Sequence, residues 1–190
     1  MAVTVRFAAL EDAEKLLEIY TYYVEDTAIT FEYDVPSLEE FTERMRSIMA
    51  FYPYLVAEEN DKVLGYAYAS KFHPRAAYAW SAEATVYLDK NARGKGVGRQ
   101  LYTCLEEYLK QMGILNLNAC IASTDAEDAY LTNGSEKFHR ALGYQLVGKF
   151  HHSGYKFNRW YDMIWMEKML GEHEVDVAPV KSIHEITKKA

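Results

Sequence analysis

Arg93-Gly94-Lys95-Gly96-Val97-Gly98 follows the strand-like run Ala84-Thr85-Val86-Tyr87-Leu88 and opens a helical one. Beyond it, Leu101, Cys104, Leu105, Tyr108, Leu109 and Met112 recur at helical spacing, which predicts one amphipathic helix from Gly98 to about Met112. A strand entering a helix through a glycine-rich turn aims unpaired backbone N–H groups at one spot. The positive end of the helix dipole lies there too. Three glycines at alternate positions lack the Cβ atoms that would hold a diphosphate off. The reading is a diphosphate cradle in mid-chain.

Spacing narrows what the cradle holds. A Walker loop requires G-x-x-x-x-G-K-[ST], but Gly96 is followed by Val97 and Gly98. A dinucleotide fingerprint requires G-x-G-x-x-G on a first strand, whereas here the run is G-x-G-x-G after about ninety residues. The pattern that fits is R-x-x-G-x-G, from Arg93, Gly96 and Gly98. It resembles the coenzyme A signature of the GNAT N-acetyltransferases. By that resemblance acetyl-CoA is the co-substrate and Arg93, Gly94, Lys95, Gly96, Val97 and Gly98 hold its diphosphate.

The remaining elements are read from pattern. Thr4–Phe7 is a first strand, and helices run over about 10–26 and 38–50. Two strands, 54–58 and 63–70, form a hairpin about Asn60-Asp61. Strand 115–121, a short helix 135–142 stopped by Gly143, and strands 144–148 and 160–168 follow. This β-α-α-β-β-β-α-β-α-β-β order is similar to the GNAT fold. The expectation is an α/β protein with a mixed twisted sheet of six to seven strands and helices on both faces. Residues 1–170 form the domain; 171–190 form a polar tail, either loose or laid as an arm over the body or a partner.

Composition bounds the function classes. The 190 residues are 49% hydrophobic and 14% aromatic, enough for one well-cored domain. A net charge of -7 argues against nucleic-acid and anionic-membrane partners, and the basic pair Lys188-Lys189 is too short to change that. Neither an apolar signal core nor a membrane-length run is present, so a soluble cytoplasmic protein is expected. Cys104 and Cys120 read as buried free thiols. His151 and His152 are adjacent and lack partners for a zinc set, so no metal is expected.

Four segments resemble the phosphinothricin and methionine sulfoximine/sulfone acetyltransferase branch. They are Tyr52-Pro53-Tyr54-Leu55-Val56-Ala57-Glu58, the run Arg75 to Tyr87, Phe138-His139-Arg140-Ala141-Leu142-Gly143-Tyr144, and Gly154 to Asp162. The resemblance implies a homodimer and a small amine substrate. It implies Glu83 as general base, with His139 as proton donor, second base or plain packing residue. The backbone of Val86, Tyr87 and Leu88 would pair with the pantetheine arm as an added strand, Val86 N–H facing the oxyanion. Asn133 would contact coenzyme A, one position out of the branch's register. Arg75 and Lys156 would meet an acidic substrate group, with Phe31, Tyr78 and Trp160 walling its side chain. Two departures stand out: Arg75-Ala76-Ala77-Tyr78 where the branch commonly has Arg-Asn-Ala-Tyr, and a longer acidic stretch with Asp125, Glu127 and Asp128. Direct attack on the thioester is expected, because no cysteine is placed near the centre. The alternatives are acetylation of another small amine or of a protein N-terminus, and a non-catalytic acyl-CoA sensor.

Overall fold

The computed structural model describes residues 3–188, so Met1, Ala2 and the end of the tail, Lys189-Ala190, lie outside the described residues. The elements are β1 Thr4–Phe7, α1 Ala13–Asp26, α2 Leu38–Met49, β2 Tyr54–Glu59, β3 Lys62–Lys71, β4 Ser81–Leu88, α3 Val97–Met112, β5 Asn116–Ser123, α4 Gly134–Ala141, β6 Gln145–Lys156, β7 Arg159–Met169 and α5 Ile183–Thr187. They build one seven-stranded sheet in the order β1-β2-β3-β4-β5-β7-β6. All pairings are antiparallel except β4 with β5.

Local chemistry sets the boundaries. Ser37 accepts a hydrogen bond from Glu40 N at 3.1 Å and starts α2. Gly113, at φ 91°, ends α3 as Ile114 N reaches back to Leu109 O. Asn60 and Asp61 both take positive φ, the two-residue turn expected between β2 and β3. A second such turn, Phe157-Asn158, joins β6 to β7. There β6 is far longer than the expected strand 144–148. The strand runs on past Gly148, the expected end, and past Gly154, both of which stand at irregularities in the pairing with β7.

Strand alternation assigns the two faces. Tyr54, Val56 and Tyr66 point to one face, where Leu16, Tyr20, Tyr23, Phe41 and Met45 of α1 and α2 cover them. Leu55, Ala67, Ala82, Ala84, Leu117 and Ile121 point to the other, under Leu101, Tyr102, Leu105 and Leu109 of α3. At about 25 cal/mol per Å² these two buried layers dominate the stability of the fold. The tail takes the arm form, lying across the body. Trp80 Nε1 donates to Ala178 O at 2.9 Å, Lys181 N bonds Met112 O at 2.9 Å, and Ile183 is buried against Phe51 and its neighbours. Among the described residues no helix is long and apolar enough to cross a membrane.

Candidate active site

The parallel pairing of β4 with β5 lasts only three residues, Ser81–Asn116 to Glu83–Asn118. Beyond Glu83 the strands part, β5 continuing beside β7 alone. Asn118, buried at the fork, donates from Nδ2 to Ala82 O at 3.3 Å and to the side chain of Asn116. Asp89 N bonds Leu64 O on β3, so by two-residue alternation Ala84, Val86 and Leu88 aim their backbone groups at the gap. The gap opens into a cavity of about 430 Å³ lined from both faces of the sheet. Phe31, Tyr68, Glu83, Thr85 and Cys120 line it on the α1–α2 side; Tyr102, Ser135 and His139 line it on the α3–α4 side. The cavity runs through the sheet.

At the outer end of β4 lies the glycine turn. Gly94 and Gly96 have φ of 74° and 81°, conformations that side chains resist, and a Cβ on either would meet no atom within 4 Å. Gly96 caps α3 without any side-chain bond, leaving the first N–H groups of Val97, Gly98 and Arg99 free for an anion. Gly98 has a packing task besides the one its spacing implied. A Cβ there would stand 3.2 Å from the Phe138 ring, so it allows α3 and α4 to pack closely.

Tyr23 of α1, a residue the sequence pattern marks only as core, holds this turn in place. Its hydroxyl donates to Leu88 O at 2.7 Å and accepts from Leu88 N at 3.0 Å. The Arg93 guanidinium lies 5.0 Å from the Tyr23 ring centre and 5.2 Å from that of Tyr22. Leu88, expected to pair with the cofactor, is thus satisfied internally, and the free pairing groups on the edge are those of Ala84 and Val86. Tyr23→Phe is expected to raise KM for acetyl-CoA several-fold, the loss of roughly 1 kcal/mol per bond, with kcat nearly unchanged. Steady-state kinetics with acetyl-CoA varied would read it, and an equal fall in kcat would contradict the positioning role.

Glu83 is half-buried and makes no ion pair among the described residues; burial raises its pKa above the usual carboxylate value. His139 is buried, with Nδ1 2.8 Å from Ser135 O and Nε2 2.9 Å from the Tyr102 hydroxyl. A carbonyl only accepts, so Nδ1 carries the proton, and Nε2 accepts from Tyr102. Burial lowers the pKa of His139, which favours the neutral ring. Its access to the reaction is therefore shared with Tyr102, which the helical periodicity hid among Leu101, Leu105 and Leu109. The cysteine expectations need correction. Cys104 is only half-buried, while Cys120 is exposed and lines the cavity. Strand alternation turns Cys120 outward, toward Glu83, because Leu117, Ala119 and Ile121 take the core side.

Other sequence candidates fall elsewhere. Asn133 spends its amide on Thr124, donating to Thr124 O at 2.9 Å and accepting from Thr124 N at 3.3 Å. Arg75 lines a separate groove with Lys71, His73 and Trp80, and Tyr78 packs on Phe72 and His73. Lys156 is buried beneath the cavity wall, its Nζ 2.9 Å from Thr30 O. Trp160 is 61% exposed beside Tyr155. Of the substrate candidates, only Phe31 lines the cavity.

An acyl-CoA fits this arrangement: free helix N–H groups for the diphosphate, an unpaired strand edge for the amide-bearing arm, and a through-sheet gap for the thioester. Residues 5–165 match the acetyltransferase (GNAT) domain model. A phosphinothricin N-acetyltransferase of Alcaligenes faecalis is 34% identical over 170 residues, covering 89% of this chain and 83% of the relative. A methionine sulfoximine/methionine sulfone acetyltransferase of Salmonella typhimurium is 30% identical over 174 residues, covering 90% and 96%. The solved phosphinothricin acetyltransferase of Sinorhizobium meliloti in complex with AcCoA superposes with a TM-score of 0.84 at 34% identity, over 96% of this chain and 99% of that one. The chain belongs to the GNAT family and is an acetyl-CoA-dependent N-acetyltransferase.

Proposed function

We propose that the protein moves the acetyl group of acetyl-CoA directly to the amine of a small amino acid or analogue, of the phosphinothricin or methionine sulfoximine/sulfone type. The observation that carries this reading is Glu83, the one charged side chain lining the through-sheet cavity among the described residues. An ammonium is not nucleophilic, and a carboxylate made more basic by burial is suited to removing its proton. The amine then attacks the thioester carbonyl: the C–N bond forms, the oxyanion faces the Val86 N–H on the open edge, and the C–S bond breaks. One proton must reach the departing thiolate. The Tyr102 hydroxyl, hydrogen-bonded to His139 and lining that side of the cavity, is the donor we assign.

A covalent acetyl-cysteine is disfavoured although Cys120 is at hand. Its exposed surface faces the cavity, whose walls still strip water from the thiol; that desolvation and the neighbouring Glu83 push it up to about 12, so it is a protonated, weak nucleophile near neutrality. The homologues' names support the substrate class. We read the protein as a cytoplasmic homodimer; exposed Leu146, Val147 and Phe150 on the edge strand β6 supply an apolar surface for a second copy. An amine panel tests the function, with free coenzyme A release followed for phosphinothricin, methionine sulfone, ordinary amino acids and a peptide N-terminus. Turnover confined to small amino acids or analogues is expected. Turnover only with the peptide, or with none, would contradict it.

A further inference from the structure

We infer that the acceptor side of the cavity selects amino acids with a compact, uncharged side chain, and that its size is set by the Phe31 ring seated on Gly154. The inference rests on the acetyl-transfer reading above and sharpens its substrate class.

The seat is tight. A Cβ on Gly154 would lie 2.3, 2.4 and 2.7 Å from the Cε2, Cζ and Cδ2 atoms of Phe31. Only glycine leaves room for the ring there. The backbone carrying Phe31 has little freedom to retreat, since it is tied on both sides. Ala28 N bonds Tyr130 O at 3.0 Å, Lys156 Nζ bonds Thr30 O at 2.9 Å, and the Tyr33 hydroxyl bonds Tyr155 O. A methyl group at position 154 would therefore drive the ring into the cavity it lines.

Charge points the same way. No lysine or arginine lines the cavity among the described residues, and its single charged side chain is the acidic Glu83. Lys156 turns its ammonium to Thr30 O, and Arg75 lies in another groove. A second acid on the acceptor, such as a phosphinate, would meet Glu83 without a compensating cation. A sulfone, thioether or aliphatic side chain would meet Phe31, Ile29, Cys120 and Met163 instead.

The test is kcat/KM for the acceptor at saturating acetyl-CoA, in wild type, Gly154→Ala, Phe31→Ala and the double variant. Wild type is expected to favour methionine sulfone over phosphinothricin by about 10-fold or more, the factor that 1.4 kcal/mol represents. Gly154→Ala should lower kcat/KM for methionine sulfone while KM for acetyl-CoA stays put. Adding Phe31→Ala should restore it, a non-additivity expected of two groups sharing one space. Phe31→Ala alone keeps the backbone intact and should raise phenylalanine relative to methionine sulfone. A wild type that prefers phosphinothricin overturns the inference and leaves acetyl transfer standing. So does a Gly154→Ala loss that Phe31→Ala fails to relieve. No turnover with any amine overturns the acetyl-transfer reading itself, and this inference with it.

Discussion

Glu83→Gln is expected to lower kcat by about 100-fold or more, the usual worth of a positioned general base, while leaving acetyl-CoA affinity nearly unchanged. The amide keeps the shape of the side chain and removes only its ability to take a proton. The pH profile supplies a second signature. Burial raises the Glu83 pKa, so the wild-type acid limb should lie above the usual carboxylate range, with activity rising as the group ionises. That limb should vanish in the variant. The stability sign is opposite to the activity sign. A carboxyl whose folded pKa is raised contributes stability that is fully present below its unfolded pKa and is lost as pH rises through the folded one. At neutral pH the ionised Glu83 therefore opposes folding, and Glu83→Gln should melt no lower than wild type. Unchanged turnover, or a large fall in Tm, would remove Glu83 from its role.

Gly96→Ala is expected to give the other large effect, this time on the co-substrate. At φ 81° an alanine resists the backbone by about 1–2 kcal/mol, and its methyl would occupy the open space in front of the α3 N-terminus. Losing one charge-assisted bond to a phosphate, about 1.5–3 kcal/mol, corresponds to roughly 10- to 100-fold weaker binding. KM for acetyl-CoA should rise accordingly, with kcat at saturation falling much less and Tm dropping by a few degrees. Gly98→Ala makes the contrast. Its methyl would press on Phe138 at 3.2 Å, so stability should suffer before cofactor affinity does. Equal cofactor binding by Gly96→Ala and wild type, measured by calorimetry, would show that the turn is only a connection.

These two variants touch what is most legible in the sequence. The strand, glycine turn and helix sit in one continuous segment, and their signals are local: alternation, positive-φ residues, helical spacing. The β2–β3 hairpin was legible for the same reason, through Asn60-Asp61. The rest of the site is built by contacts between segments far apart in the chain, which periodicity does not encode. Tyr23 reaches Leu88 across 65 positions, and Tyr102 reaches His139 across 37. Both tyrosines satisfy an apolar helical stripe, so their hydroxyls carry no pattern of their own. Cys120 sits in an apolar strand whose buried and open faces cannot be ranked until its partner strands are known. Lys156 looks like a substrate cation beside Trp160, yet the tight Phe157-Asn158 turn folds β6 back along β7 and brings its ammonium under Thr30. Gly154 carries no signal in the sequence that sets it apart from any other strand glycine; the Phe31 ring seated on it comes from a segment more than a hundred positions away.

The central claim is that the parting of β4 from β5 receives an acyl-CoA whose acyl carbon stands beside Glu83. A crystal structure of the Glu83→Gln variant soaked with acetyl-CoA tests it most directly. The account predicts the diphosphate on the N–H groups of Val97 to Arg99, the pantetheine arm along Ala84 and Val86, and the thioester between residue 83 and Tyr102. Density for the cofactor lying outside that gap, with the space between the two strands filled by water or side chains, would contradict it.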